Sequence, residues 1–435
     1  MSSQGTQWYK LQYPECFVNE EQRMIQQTVA DFVDKEIMPV RHLIDDDVTH
    51  EDVVEPILKK LQIDLGWQQA MIPKDYGGNE MLSLVVSALK QEQMSRGDYG
   101  LSLASAVTDW ALSPATISYL MPSPTGKAWG KAVLDEFAPK FTGKELCHGC
   151  FNMSEAESAC DIENHLNEGR LVRTKAELRG NEWVINGSKH WASNSGIASL
   201  HCVVCNMDPK SGTEGFALIY VPEPWPGVSH GKFEVKCGVN ADRNTSTYFD
   251  DVRVPKEWGI QGPEAWNIFL NNLVSTFPLN TANCVGMLQG AFNELLKYTG
   301  ERVVGGKPLR EHYSTAIFLG EMASAISVGR AAFLELAHQY DNMEIYGPWT
   351  TDSMVAKGRS VLAFVARMTP DLILRGMEFM GSHGYVREGN YEKYYRDAAV
   401  AKLVLGGVQV GFFSVCRQFY DLDFSSFGPG KFSGH

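Results

Sequence analysis

The sequence predicts an α+β chain: an N-terminal all-α domain, a central β-barrel or sandwich domain and a C-terminal four-helix-bundle domain. Apolar residues recur at spacings of three and four from Phe17 onward and again after Pro255, whereas short β-branched runs separated by Asn-Gly and Pro-Gly turns fill about Leu146 to Val254. Helical blocks flanking an all-β insert do not make a doubly wound sheet. The expected domains are 1–145, 146–256 and 257–435, the last ending in a loose Gly/Ser-rich tail after Ser425. With 435 residues, 44% of them hydrophobic, the chain can bury two or three cores.

Each element has a local reason. Asn19 can cap a first helix, in which Met24, Ile25, Val29, Phe32, Val33 and Ile37 form one stripe and Pro39 ends the run. Ile57–Leu65, with Pro56 at its start, and Leu82–Met94 repeat the pattern, and the small residues of Gly100–Ala111 suit a closely packed helix. Trp183–Ile185, Cys202–Cys205 and Phe216–Val221 read as strands. Helices near Glu264–Tyr298, His312–Met343, Ser353–Met380 and Ala398–Asp421 would pack as an antiparallel bundle.

Charge and composition exclude several function classes. A net charge of −13 and a pI near 5.4, without clustered Lys and Arg, disfavour nucleic acid. The N-terminus lacks a signal-like apolar region, and no apolar run suggests a membrane span, so the expectation is a cytoplasmic protein. Nine cysteines fit free thiols in a reducing compartment. Cys147-x-x-Cys150 and Cys202-x-x-Cys205 are spaced too far apart for a zinc ribbon, so no metal is expected. Gly300–Lys307 is off register for a phosphate loop, and Pro308 follows where Ser or Thr is required.

Two segments carry candidate chemistry. Gly180–Gly196 reads as a strand, an Asn186-Gly187 hairpin turn, and a strand that presents Trp191 and, two residues later on the same side, Ser193. That pair suits covering a flat conjugated ring and hydrogen-bonding its edge; an ordinary hairpin with a core Trp fits the same pattern. In Leu101–Leu112 one carboxylate, Asp109, stands among small and apolar residues, where a charge is costly and its pKa rises, as in a tuned base. A helix end or a pairing with an unseen Arg fits Asp109 equally well.

Taken in order with further motifs, these segments resemble the flavin-dependent acyl-CoA dehydrogenases from about Glu20 to Val410. The resemblance implies FAD, with Trp191 beside the isoalloxazine and Ser193 on flavin N5. Phe151–Asp161 is similar to the family's flavin and pyrophosphate loop, placing Phe151, Met153 and Ser154 at the cofactor, although the family's Pro and both Gly are replaced and extra residues follow. Phe249–Pro255 resembles the exit from the β domain. Glu301–His312 resembles the segment that reaches a neighbouring subunit's FAD, with Arg302 and His312; a guanidinium fork suits a pyrophosphate, though a solvated loop charge fits Arg302 too. Glu378–Tyr385 resembles the turn at that FAD's AMP half, with Glu378 replacing an amide and Gly381 kept; Gly407 and Gln409 complete the cofactor set. Ala106, Thr276 and Phe277 fall at substrate-binding positions. An acyl-CoA thioester substrate, an electron-transferring flavoprotein as acceptor and a homotetramer are implied as well.

One departure concerns the chemistry. In Lys393–Val410 the residue before the first Gly is Leu405, where the family has the Glu that removes the α-proton, and the alternative site, near Thr276, also lacks an acid. Leu405 keeps its backbone N–H, the family's oxyanion donor. Family members acting on cyclic, already unsaturated thioesters use an Asp from the helix that carries Asp109. The expected activity is therefore dehydrogenation of a cyclic or conjugated acyl-CoA, with Asp109 and Leu405 as catalytic residues. A related flavin monooxygenase or oxidase is the alternative, and a degenerate flavin-binding scaffold is disfavoured by Trp191, Ser193 and Arg302.

Overall fold

The computed structural model describes residues 11–158 and 162–420; Asp161, Asp421 and the expected loose tail lie outside them. The first helix, α1 (Glu20–Phe32), starts at a reciprocal cap: Asn19 accepts from the Gln22 N–H and the Gln22 side chain accepts from the Asn19 N–H, both at 2.9 Å. α2 (Leu84–Gly97) begins where Asp341, from a distant helix, accepts from the Leu84 and Val85 N–H groups at 2.7 and 3.1 Å, a negative charge on a helix N-terminus. α3 (Tyr99–Leu120) is capped by Asp98 and extends well past the expected end at Ala111. Its interior Pro114 has no N–H for the Trp110 carbonyl, and Asn272 supplies that donor at 3.2 Å. α4 (Pro124–Phe141), not anticipated, opens with Ser123 as cap and Pro124 in its first turn.

The central strands are β1 (Gly149–Asn152), β2 (Lys175–Arg179), β3 (Glu182–Ser193), β4 (Leu200–Asn206), β5 (Phe216–Pro222), β6 (Val228–His230), β7 (Asn244–Pro255) and β8 (Gly259–Gln261). They pair in the order β6-β7-β3-β2-β4-β5-β8, with β1 on β4. The sheet is open. A closed barrel does not form, because the terminal strands β6 and β8 span three residues each and are not hydrogen-bonded to one another. The expected Asn186-Gly187 turn is not a turn either: β3 runs straight through it, with Gly187 at φ 148 at a shift of register against β7. The hairpin reverses at Gly180-Asn181, where Gly180 has φ 63 and Arg179 pairs with Glu182.

The C-terminal helices are α5 (Pro263–Glu301), α6 (Tyr313–Asp341), α7 (Asp352–Met380), α8 (Glu392–Ala398) and α9 (Gly407–Cys416). α5, α6 and α7 pack on one another, α9 lies on α7, and α2 packs on α5. Among the described residues α6 alone is long and apolar enough to cross a membrane, yet it packs in this bundle, with Arg330 buried against Glu92 at 2.7 Å. The single helix expected over Ala398–Asp421 is broken, because Leu405, Gly406 and Gly407 have φ values of 53, 83 and 68, which no right-handed helix accommodates.

A buried ionic cluster holds α8, just ahead of this break, in place. Lys393 lies 2.8 Å from both Asp45 and Asp98 and 3.1 Å from Asp397, and Arg396 lies 2.7 Å from Asp45. Asp397 also accepts from the Val239 N–H at 2.7 Å. Removing one member would strand buried charge, at about 3–5 kcal/mol. The cluster thus ties α8 to the N-terminal helices and to the loop between β6 and β7.

Candidate active site

These elements enclose a cleft of about 1610 Å³ between α3, α5, β3 and the segment before Leu405. It exceeds the roughly 300–1,000 Å³ of a drug-sized pocket, so it admits more than one small molecule. Asp109, Leu405, Phe151, Met153, Ser154, Trp191, Ser193, Ala106 and Thr276 all line it.

At one end the β3 backbone bulges. The register against β7 shifts between Lys189 and Ala192, and Trp191 takes φ 65, an unusual conformation for an aromatic residue. Trp191 stays 59% exposed and lines the cleft. The bulge, rather than simple strand alternation, puts Trp191 and Ser193 in the same cleft. Asn244 holds the Trp191 carbonyl at 2.9 Å, and the Ser193 hydroxyl meets Asp242 Oδ2 at 2.7 Å. Burial pushes the Asp242 carboxyl above its usual range against the opposing pull of Lys236, and Asp242 Oδ1 is buried without a hydrogen-bond partner.

The neighbouring loop is fastened by side chains. Lys189, fully buried, donates to the Met153 carbonyl at 3.0 Å and to Glu155 at 2.7 Å, and Glu155 accepts from the Arg173 and Thr174 N–H groups at 2.7 and 2.9 Å. The His190 N–H donates to the Ser154 carbonyl at 2.8 Å. An exposed aromatic face beside a hydroxyl and an orphaned carboxylate oxygen fits a flat ring with a polar edge.

Farther along the cleft, Asp109 pairs not with an Arg but with Lys90, whose ammonium lies 3.2 Å from Oδ2 and 4.5 Å from the centre of the Trp67 ring. Burial raises the Asp109 pKa, and Lys90 offsets only part of that rise. Asp109 Oδ1 is buried and unpartnered. The adjacent Trp110 donates to the Asn272 carbonyl at 3.0 Å and packs on Phe151 at 4.5 Å, fixing this face of α3 against α5.

Leu405, with φ 53, is buried, and its carbonyl accepts from Arg359 at 2.9 Å. Its N–H meets no acceptor among the described residues. Thr276 spends its hydroxyl on the Leu273 carbonyl at 2.6 Å, and Phe277 lies outside the cleft, fully buried beneath the Arg359 guanidinium.

The other expected cofactor residues do not line this cleft. Arg302, Glu378, Gly381 and Gln409 are exposed, and His312 and Gly407 are half-buried. His312 bonds the Val304 carbonyl at 2.9 Å, and the Arg302 N–H meets the carbonyl of Tyr298, whose ring stacks on His383 at 5.0 Å. Arg302, His312 and Gly381 therefore share one surface at the ends of α5 and α7. Lys90, Lys236, Asp242 and Arg359 were not foreseen, and only the polar run Asn240–Asn244 hinted at any of them.

Residues 19–120, 150–252 and 266–411 match the N-terminal, middle and C-terminal domain models of acyl-CoA dehydrogenases. Cyclohexane-1-carbonyl-CoA dehydrogenase of Syntrophus aciditrophicus is 27% identical over 387 residues, 88% of this chain and 93% of the relative. Cyclohex-1-ene-1-carbonyl-CoA dehydrogenase of Geobacter metallireducens is 25% identical over 401 residues, 90% of this chain and 96% of the relative. Among solved structures, butyryl-CoA dehydrogenase of Megasphaera elsdenii superposes with a TM-score of 0.77 at 21% identity, over 92% of this chain and 98% of that one.

Proposed function

The chain belongs to the acyl-CoA dehydrogenase family, FAD-dependent oxidoreductases acting on CH–CH bonds, and from that premise we propose that it oxidises a cyclic or conjugated acyl-CoA thioester with Asp109 as the base. One observation carries the reading. Where the positions of the usual glutamate hold Leu405 and Thr276, the same cleft contains a carboxylate with one oxygen fixed on Lys90 and the other, Oδ1, buried without a partner. Two other aspartates of the cleft fit less well. Asp341 is saturated by Ser83 and two backbone N–H groups, and Asp242 is bonded to Ser193 at the ring-binding end. Two relatives, cyclohexane-1-carbonyl-CoA dehydrogenase and cyclohex-1-ene-1-carbonyl-CoA dehydrogenase, act on cyclic acyl-CoA thioesters and point the same way.

Two hydrogens leave the acyl group: Asp109 takes one as a proton at Oδ1, and bound FAD supplies the acceptor for the other as hydride. The elevated pKa makes Asp109 a stronger base than an exposed carboxylate, while Lys90 keeps it ionised and oriented. The Leu405 N–H, held at positive φ by Arg359 on its own carbonyl, is the donor for the thioester oxygen as negative charge develops there. Conjugation through an existing double bond moves the labile proton away from the α-carbon, which accounts for a base on α3 rather than at Leu405.

Trp191, Ser193, Phe151, Met153 and Ser154 would hold the flavin. Arg302, His312, Glu378 and Gly381, with Gly407 and Gln409, would serve the remainder of a FAD shared between subunits of a homotetramer; the exposure of Arg302, Glu378 and Gly381 in the single chain supports this. An electron-transferring flavoprotein would then reoxidise the enzyme. Anaerobic mixing with a panel of cyclic enoyl-CoA and saturated linear acyl-CoA thioesters tests the proposal, since bleaching of the flavin band by the linear set alone would overturn it.

A further inference from the structure

Away from the cleft, three side chains from separate parts of the open sheet converge. His201 is on β4, Glu223 directly follows β5, and His230 ends β6. His201 Nε2 lies 3.4 Å from Glu223 Oε2, His230 Nε2 lies 3.5 Å from the same oxygen, and all three atoms fall within 4.8 Å of one another. The two imidazoles stack with centroids 5.9 Å apart.

We infer that His201, Glu223 and His230 form a binding site for a divalent first-row cation of the zinc class, which clasps β6 to the β4–β5 limb of the sheet. The two separations from Glu223 favour a ligand set over a hydrogen-bonded triad. An N–H···O bond has its optimum near 2.9 Å, and 3.4–3.5 Å is beyond its usual range. A tetrahedral zinc site with bonds of about 2.0–2.2 Å spaces its ligand atoms about 3.4 Å apart. His201 Nε2, His230 Nε2 and Glu223 Oε2 are each buried without a hydrogen-bond partner, and the His201 side chain is 0% exposed.

The surroundings supply what metal-binding histidines need. Asn152 Nδ2 lies 2.7 Å from His201 Nδ1 while Asn152 Oδ1 is buried and unpartnered. Exchanging the two ends of that amide lets its oxygen accept from Nδ1–H, satisfies the orphan, and leaves the Nε2 lone pair aimed at the cluster. His230 is oriented through Nδ1 by the Thr247 hydroxyl at 3.3 Å. Two imidazoles and a carboxylate form a borderline donor set that suits zinc and leave a fourth position for water. Glu223 and His230 keep 22% and 20% of their side chains exposed, so that position opens toward solvent. β6 and β4 are not hydrogen-bonded neighbours, so the cation would cross-link strands that the sheet leaves apart.

The test uses the FAD-loaded full-length protein, stripped with a chelator and titrated with zinc, reading bound metal per chain and the thermal midpoint. The expected result is one saturable zinc per chain and a midpoint that rises with zinc concentration. Glu223→Gln and, independently, His230→Asn should abolish both effects, and Asn152→Ala should weaken zinc binding by about 10–100-fold. Circular dichroism and FAD content report whether each variant has folded, and either ligand variant suffices if the other fails. No binding by the wild type at millimolar zinc overturns the assignment. Equal stoichiometry and thermal shift in a folded ligand variant also overturn it, by placing the zinc elsewhere, for example on the exposed Cys16, Cys237 or Cys416.

Discussion

Replacing Lys90 with Met keeps the length and apolar stem of the side chain and deletes the charge 3.2 Å from Asp109 Oδ2. At an effective dielectric of about 20, two unit charges at that distance attract by about 5 kcal/mol. Asp109 retains 23% side-chain exposure and water screens the pair, so only part of that bound appears as a rise in the Asp109 pKa. The direction is fixed by geometry: burial already raises this pKa, and Lys90 is what opposes it. A base acts deprotonated, so the acid limb of the pH profile for anaerobic flavin bleaching by a cyclic enoyl-CoA should move to higher pH, its plateau retained. Stability should follow the same titration. A folded-state pKa above the unfolded value means that the folded chain binds the extra proton, so stability falls as pH rises from the ordinary carboxylate range through the folded pKa. In Lys90→Met that window is wider, and the deficit against wild type, measured by denaturant titration, should grow with pH. Superimposable pH profiles for the two proteins would refute the assignment of Asp109 as the titrating base.

Other outcomes follow from the same geometry. Leu405→Glu should not accelerate the native reaction; it places a carboxylate at the α-carbon of a saturated thioester and should create measurable bleaching by linear acyl-CoA, and faster turnover of the native substrate would contradict a relocated base. Asp242→Asn removes the charge bonded to Ser193 and should change the flavin absorbance envelope and lower the FAD-to-protein ratio, with an unchanged spectrum arguing against ring binding at this end. Arg302→Ala should reduce FAD retention and oligomer size on sedimentation while leaving the unfolding free energy of the apoprotein, from denaturant titration, within about 0.5 kcal/mol of wild type, as befits a side chain exposed in the single chain.

Local signals were legible where one residue decides one feature. Asn19 caps its helix, and the β-branched runs are strands. What stayed hidden depended on partners distant in sequence. Pro114 reads as a helix breaker until Asn272, on another helix, satisfies the Trp110 carbonyl. Asn186-Gly187 reads as a turn, yet pairing with β7 keeps it extended and the reversal passes to Gly180-Asn181. The helix expected over Ala398–Asp421 is apolar enough to be continuous, but three successive left-handed residues interrupt it. Trp191, Ser193 and Asp109, singled out by local pattern, line one cleft. Lys90 lies 19 residues away on the preceding helix, and Asp242 reaches Ser193 across the β3–β7 pairing, so neither partnership leaves a trace in spacing. The cluster of His201, Glu223 and His230 was hidden for the same reason, since three separate segments must be folded together before it exists.

The most direct test of the central claim is anaerobic single-turnover reduction of the FAD-loaded Asp109→Asn variant by a cyclic enoyl-CoA that bleaches the wild type. Asn is nearly isosteric and leaves no cavity, but it cannot take a proton, so the substitution separates chemistry from packing. With an intact flavin spectrum and unimpaired substrate binding, reduction should slow by about two to four orders of magnitude, the usual contribution of a general base. Reduction at a near-normal rate would remove Asp109 from the reaction and shift the reading toward an oxygen-using flavoenzyme.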